Sequence, residues 1–104
     1  MATTEEERQL RAQAWVGDAV LALWARRWIL QTQGGIDDPL FQTITNNQFL
    51  ASQGRPVAVE AAIAEVYERD GLDAAFAHLE LTLLPLIEKR LAKDARALRT
   101  TRKK

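Results

Sequence analysis

The spacing of apolar residues along the chain predicts a protein built from α-helices. Over the first third of the sequence, apolar positions recur at helical intervals and cover more than one stripe, which is typical of a central helix buried on several sides. Thr3 or Thr4 is the expected N-cap of this helix. A glutamate three residues later, Glu6 or Glu7, completes a capping box. The glycine pair at 34–35 is expected to end the helix.

Three further helical segments are predicted downstream. The second covers residues 39–54, and its polar run TNN at 45–47 is a candidate break. The third runs from Pro56 to Asp70 and closes at Gly71. The fourth begins near Asp73, continues past Ala95 and is expected to kink or break at Pro85.

One stretch is ambiguous, because LELTL at residues 79–83 alternates as a strand would. The surrounding residues are rich in Ala, Leu, Glu, Lys and Arg, and this composition favours a helix. No other stretch resembles a strand. The expected fold is therefore all-α, with about four to five helices in a single domain over 1–95, followed by a basic C-terminal tail over 96–104.

Composition narrows the possible classes of protein. The 104 residues, of which 47% are hydrophobic, suffice for one core. The absence of cysteine excludes disulfides and thiolate-bound zinc, and a single histidine, His78, argues against Ser-His-Asp triads and most histidine metal sites. No apolar run has the length of a membrane span, and the residues after Met1 are unlike a signal peptide. We therefore expect a soluble, cytoplasmic protein that makes no membrane contact.

The formal net charge of zero conceals an asymmetry between the two ends of the chain. Glutamates occupy positions 5–7, whereas basic residues crowd the region from Lys89 onward and no lysine precedes that position. A cationic end suits the phosphate backbone of a nucleic acid, although it equally suits a solvated helix end that complements the helix dipole. The candidate RNA-binding residues of the tail are Arg96, Arg99, Arg102, Lys103 and Lys104.

Two acidic residues lie at unexpected positions in otherwise apolar helical segments. Within one helical turn of Asp18 the neighbours are apolar, and the same holds for Glu60. If the two helices pack together, both carboxylates converge in a mostly apolar pocket, where they suit a hard divalent cation such as Mg²⁺. The structural alternative is that each carboxylate binds a nearby backbone group or an arginine, with Arg26, Arg27 and Arg55 available. Gly17, beside Asp18, is expected to let a neighbouring helix approach closely.

The order of three motifs resembles the nuclease domain of the ribonuclease III family. WVGDAVLALWARRWIL at 15–30 is similar to the family's signature helix, and TNNQFLA at 45–51 is similar to its Asn-x-x-Leu-Ala helix. VEAAIAEVYERDGLDAA at 59–75 resembles its Glu-Ala segment. The resemblance covers roughly residues 8 to 90, and it implies a helical, homodimeric endonuclease domain.

The resemblance also implies roles for individual residues. Asp18 and Glu60 would be the catalytic metal ligands for Mg²⁺, with Mn²⁺ as a substitute, and Trp15 falls at the family's dimer contact. The implied substrate is double-stranded RNA in structured precursors, including those of ribosomal RNA. A-form RNA of this kind is recognised mainly through its shape, 2′-hydroxyls and phosphates.

The sequence departs from the family pattern at several positions. The family carries glutamate where Arg11 and Ala14 stand, and aspartate where Val57 stands. The Mini-III type similarly lacks several of these acids and the double-stranded-RNA-binding domain, so it is the nearer resemblance. Its RNA-gripping excursion is reduced here to SQGRP at 52–56. This shortening implies that the protein would need an accessory partner to grip RNA. The competing hypotheses are a catalytically inactive RNA-binding or ribosome-assembly domain and a helical interaction module that binds acidic partners through its tail.

Overall fold

The structure, a computed structural model, describes residues 4–102, with side chains described as far as residue 98. Within this range the chain forms six α-helices and no strand, which confirms the all-α prediction. The expected count of four to five helices is wrong, because the second and fourth predicted segments are each divided in two. The helices are α1 (Glu5–Gln33), α2 (Asp38–Thr45), α3 (Asn47–Leu50), α4 (Pro56–Asp70), α5 (Leu72–Thr82) and α6 (Leu84–Arg102).

Local capping interactions explain the ends of the first three helices. The backbone amide of Glu7 donates to the Thr4 hydroxyl at 3.1 Å, and Gly34 ends α1 in the left-handed conformation with φ of 75°. Asn46 adopts an extended conformation that ends α2, and its side chain accepts the Phe49 amide at 2.7 Å to start α3. The break predicted near residues 45–47 is therefore confirmed.

Glycine and proline residues mark the helix boundaries in the second half of the chain. Helix α4 has Pro56 in its first turn and ends at Gly71, as predicted. The break between α5 and α6 falls at Leu83, two residues before Pro85, because proline is tolerated only in the first turn of the helix that follows. Helix α6 continues through residue 96 to Arg102, so the domain boundary at residue 95 stays a prediction.

The core forms around α1, which packs most extensively against α4 and also contacts α2 and α5. Trp24 is buried and stacks on the half-buried Trp28 with ring centroids 6.3 Å apart. None of the described helices is both long enough and apolar enough to cross a membrane. The largest fully buried side chains are Leu21, Ile44, Leu50, Ile63, Leu79, Leu83 and Ile87.

A candidate two-carboxylate site between helices α1 and α4

The backbones of α1 and α4 are in direct contact at Gly17. A methyl group built on this glycine would overlap the carbonyl oxygen of Glu60, and it would lie 2.6 Å from the Glu60 carbonyl carbon and 3.3 Å from the Ala64 nitrogen. Any residue with a side chain would therefore force the two helices apart. Glycine costs about 1 kcal/mol relative to alanine inside a helix. The close packing that glycine permits here offsets this cost, as the sequence led us to expect.

The same contact brings two carboxyl groups together. Glu60 carries the carbonyl that Gly17 accommodates, Asp18 is the next residue along α1, and the two side chains lie close enough to interact electrostatically. Their expected proximity is therefore observed. The expectation of two carboxylates in an apolar pocket is wrong for Asp18, which is exposed, whereas Glu60 is half-buried. The apolar neighbours of Asp18 include Trp15, which is itself 81% exposed, so they form no covered face.

Both carboxyl groups line an open cleft of about 320 Å³, which we call the carboxylate cleft. Its other lining residues include Trp15 and, from α3, Asn47. The three positions at which the resembled family carries further acids also face this cleft. They are Arg11, Ala14 and Val57.

Burial and the neighbouring carboxylate make Glu60 hard to ionise. Desolvation, the hydrogen bond to Asp18 and the negative charge of Asp18, in that order, raise the pKa of Glu60 from 4.5 to about 7. Neither acid forms an ion pair with any described residue. The two carboxyl groups therefore repel each other when both are ionised.

The arginines named as structural partners are engaged elsewhere. Arg26 stacks over the ring of Phe41 with its guanidinium carbon 4.5 Å from the ring centroid, and Arg27 lies 5.8 Å from the centroid of Phe76. Arg55 lines a separate cleft. These positions do not support the alternative in which an arginine neutralises Asp18 or Glu60.

The donor set of the carboxylate cleft fits a hard divalent cation. Asp18 and Glu60 offer the carboxylate oxygens that Mg²⁺ prefers, and Mg²⁺ commonly takes one or two carboxylates and keeps several waters. No cluster of three or more His, Cys, Asp or Glu residues suited to a metal occurs in the described part of the chain. The protein carboxylates at this site would therefore be Asp18 and Glu60.

The remaining candidate residues lie away from the carboxylate pair or outside the described side chains. His78 is half-buried and lines the other cleft with Arg55 and Thr82. Arg96 is exposed on α6. The side chains of Arg99 and Arg102, and the whole of Lys103 and Lys104, lie outside what the structure describes.

Two features of the structure are not evident from the sequence. Arg11, which departs from the family pattern, lines the carboxylate cleft. The basic residues at 89–93 line a groove opposite α3. The run of positive charge was visible in the sequence, but its partner helix was not.

Comparisons with known proteins assign this chain to no family. No protein-family model, curated protein or solved structure matches this chain. The ribonuclease III resemblance therefore rests on the motif residues. The roles of Asp18 and Glu60 as ligands and of Trp15 as a dimer contact stay predictions.

Proposed function

We propose that the protein is a homodimeric, Mg²⁺-dependent endoribonuclease that cleaves double-stranded regions of structured RNA precursors, those of ribosomal RNA among them. One observation carries this proposal. Asp18 and Glu60, from different helices, lie together in one open cleft and form no ion pair with a described residue. The backbone contact at Gly17 fixes that arrangement.

The two acids would hold the cation from opposite helices. A bound Mg²⁺ would supply an activated water and stabilise the negative charge that develops on the phosphate. Glu60 must lose its proton to become a ligand, and a cation favours that loss by replacing repulsion from Asp18 with attraction. Asp18 is exposed and is therefore accessible to both solvent and substrate.

The shape of the cleft suits a duplex as the substrate. The cleft opens at the surface, so a phosphodiester can reach the carboxylates without extrusion of a base. Trp15 lies at this cleft with 81% of its surface exposed, which makes it the proposed contact for a second copy. A two-fold axis would then present two carboxylate clefts, one for each strand. An accessory RNA-binding partner would compensate for the short 52–56 connection.

Arg11 favours a second candidate function. A guanidinium in the cleft, where the resembled family has a carboxylate, is suited to bind phosphate without cutting it. The alternative is therefore a catalytically inactive RNA-binding or ribosome-assembly domain of the same fold.

The test is cleavage of a long RNA duplex by the purified parent with Mg²⁺, with Mn²⁺ and with EDTA. We expect Mg²⁺-dependent cutting, and we expect Asp18→Asn and Glu60→Gln each to reduce its rate by on the order of 10³-fold. Glu65→Gln is the matched control, because Glu65 is an exposed glutamate on the same helix as Glu60. If the parent binds the duplex but does not cut it with any divalent metal, the result supports the inactive domain instead.

A further inference from the structure

A second open cleft lies between α3 and α6, and we call it the basic groove. It has a volume of about 370 Å³, and the two flanking helices approach each other without packing closely. Its floor is formed by the apolar side chains of Phe49 and Leu86, and its α6 rim is cationic. The lining residues are Gln48, Phe49, Ser52, Leu86, Lys89, Arg90 and Lys93.

The cations of the basic groove are largely available for a ligand. Lys89 and Lys93 are four residues apart, so both project from the same side of α6. Neither forms an ion pair with a described residue. Arg90 pairs with Asp94 at 3.3 Å, but both side chains are about half exposed, so this ion pair is weak.

The carboxylate cleft offers a polyanion little attraction by itself. Two acids and one cation, Arg11, line it, and the chain as a whole has no net charge. An RNA-binding protein with these properties needs a local cluster of cations, because neutralisation of phosphates supplies most of the affinity for a nucleic acid. The basic groove is such a cluster, and the exposed Gln48 amide adds a hydrogen-bond donor for a phosphate oxygen.

Helix α3 places the two clefts side by side. Asn47 lines the carboxylate cleft and Gln48, the next residue, lines the basic groove. A four-residue helix is only about 6 Å long, so an RNA duplex that passes over α3 can contact both clefts.

We propose that the basic groove binds the phosphate backbone of the same RNA duplex that enters the carboxylate cleft. This inference rests on the proposed function for the identity of the RNA. It assigns the groove to positioning and affinity, with Lys89 and Lys93 as phosphate contacts and Gln48 as a polar contact beside them. The chemistry of cleavage stays with the carboxylate cleft.

The test measures binding of a short fluorescent RNA duplex by anisotropy in EDTA, so that no cleavage interferes, over a series of salt concentrations. The double variant Lys89→Gln/Lys93→Gln should weaken binding about tenfold or more at low salt. It should also make the slope of log affinity against log salt shallower by about 1.4 to 1.8, or 0.7 to 0.9 for each lost phosphate contact. Lys89→Arg/Lys93→Arg keeps the charge and should retain the parent's affinity and slope.

Lys89→Gln alone tests the loss of one cation from the groove. Arg69→Gln, which removes one cation elsewhere, is its control. Arg69 is exposed at the end of α4 and lies outside the basic groove, so its removal should leave the slope unchanged. Circular dichroism and thermal unfolding should show that all variants fold like the parent, since the changed side chains are exposed.

Four outcomes are informative. Unchanged affinity and slope in the lysine double variant overturn the role of the groove, while cleavage by the parent would leave the proposed function standing. Lysine-dependent binding by a parent that never cuts supports the groove and defeats the nuclease. Competition by polyglutamate as effective as that by RNA of equal charge overturns a nucleic-acid assignment. A parent that binds no duplex at all overturns the groove outright.

Discussion

The carboxylate cleft and the basic groove lie on either side of α3 but are built in different ways. The first is formed where the two helices with the most extensive contact, α1 and α4, touch through their backbones at Gly17. The second lies between the four-residue α3 and the exposed face of α6, which do not pack closely. Metal ligation requires positions that are fixed within a fraction of an ångström. Phosphate attraction through lysine requires only that charge be nearby, since the side chain is long and flexible.

This contrast predicts that a small change in packing damages the carboxylate cleft and spares the groove. Gly17→Ala adds one methyl group that would overlap the Glu60 carbonyl oxygen, and backbone atoms cannot move aside as the end of a side chain can. We expect a loss of about 3 kcal/mol or more in the free energy of unfolding, measured with urea. Cleavage should also fall sharply, because the two carboxyl groups would be moved apart.

The control is Gly35→Ala. A Cβ atom at Gly35 meets no other atom within 4 Å, so the change should alter the free energy of unfolding by no more than about 0.5 kcal/mol. Equal effects of the two substitutions would show that the backbone contact at Gly17 is not what holds the site together.

Local signals in the sequence were sufficient for the helix ends. Thr4, Asn46 and Gly71 lie at helix boundaries because their side chains or conformations satisfy backbone groups, and such interactions span only a few residues. The role of Gly17 could also be inferred, since a glycine inside an apolar helix needs a close neighbour to offset its cost. The division at Leu83 was displaced from the expected kink at Pro85 by only two residues.

Features that depend on distant parts of the chain were not predictable in the same way. Apolar neighbours suggested that Asp18 is buried, but the sequence does not say which apolar side chains another helix covers, and Trp15 is left exposed. The basic groove joins Gln48 to Lys89, which are far apart in sequence and share no local pattern. Only the folded arrangement of α3 and α6 makes them neighbours.

The two clefts should also differ in their relation to a partner subunit. The partner would contact the rim of the carboxylate cleft and leave the basic groove free. Trp15 adjoins the carboxylate cleft, and a buried tryptophan at an interface commonly contributes 2 kcal/mol or more. In sedimentation equilibrium at tens of micromolar, we expect the parent to be a dimer and Trp15→Ala to raise the dissociation constant about 30-fold. Leu81→Ala, which truncates another side chain that is 80% exposed, is the control. A monomeric parent would contradict the dimer and weaken a mechanism that pairs two sites.

The smallest expected effect is a dependence of stability on pH that belongs to the carboxylate cleft alone. Because the pKa of Glu60 is raised from 4.5 to about 7, the folded protein binds more protons than the unfolded chain between these values. The free energy of unfolding should therefore fall as the pH rises through this window and level off above it. Glu60→Gln removes this dependence and leaves Asp18 and Arg11, which line the same cleft, unaltered.

Urea unfolding of the parent and of Glu60→Gln in metal-free buffer measures this difference. At about pH 8 the variant should be more stable by about 1 to 2 kcal/mol, a figure reduced from the full shift because Glu60 is partly exposed to solvent. At about pH 4 the two proteins should be alike in stability, because Glu60 is then largely protonated in both states. Saturating Mg²⁺ should stabilise the parent at the higher pH and leave the variant nearly unchanged, since an ion that binds only the folded state stabilises it. A carboxylate with a purely structural role gives the opposite sign, because its removal lowers stability at high pH and Mg²⁺ has no effect. The sign of the difference in unfolding free energy between variant and parent at about pH 8 therefore distinguishes a metal ligand from a carboxylate with a structural role.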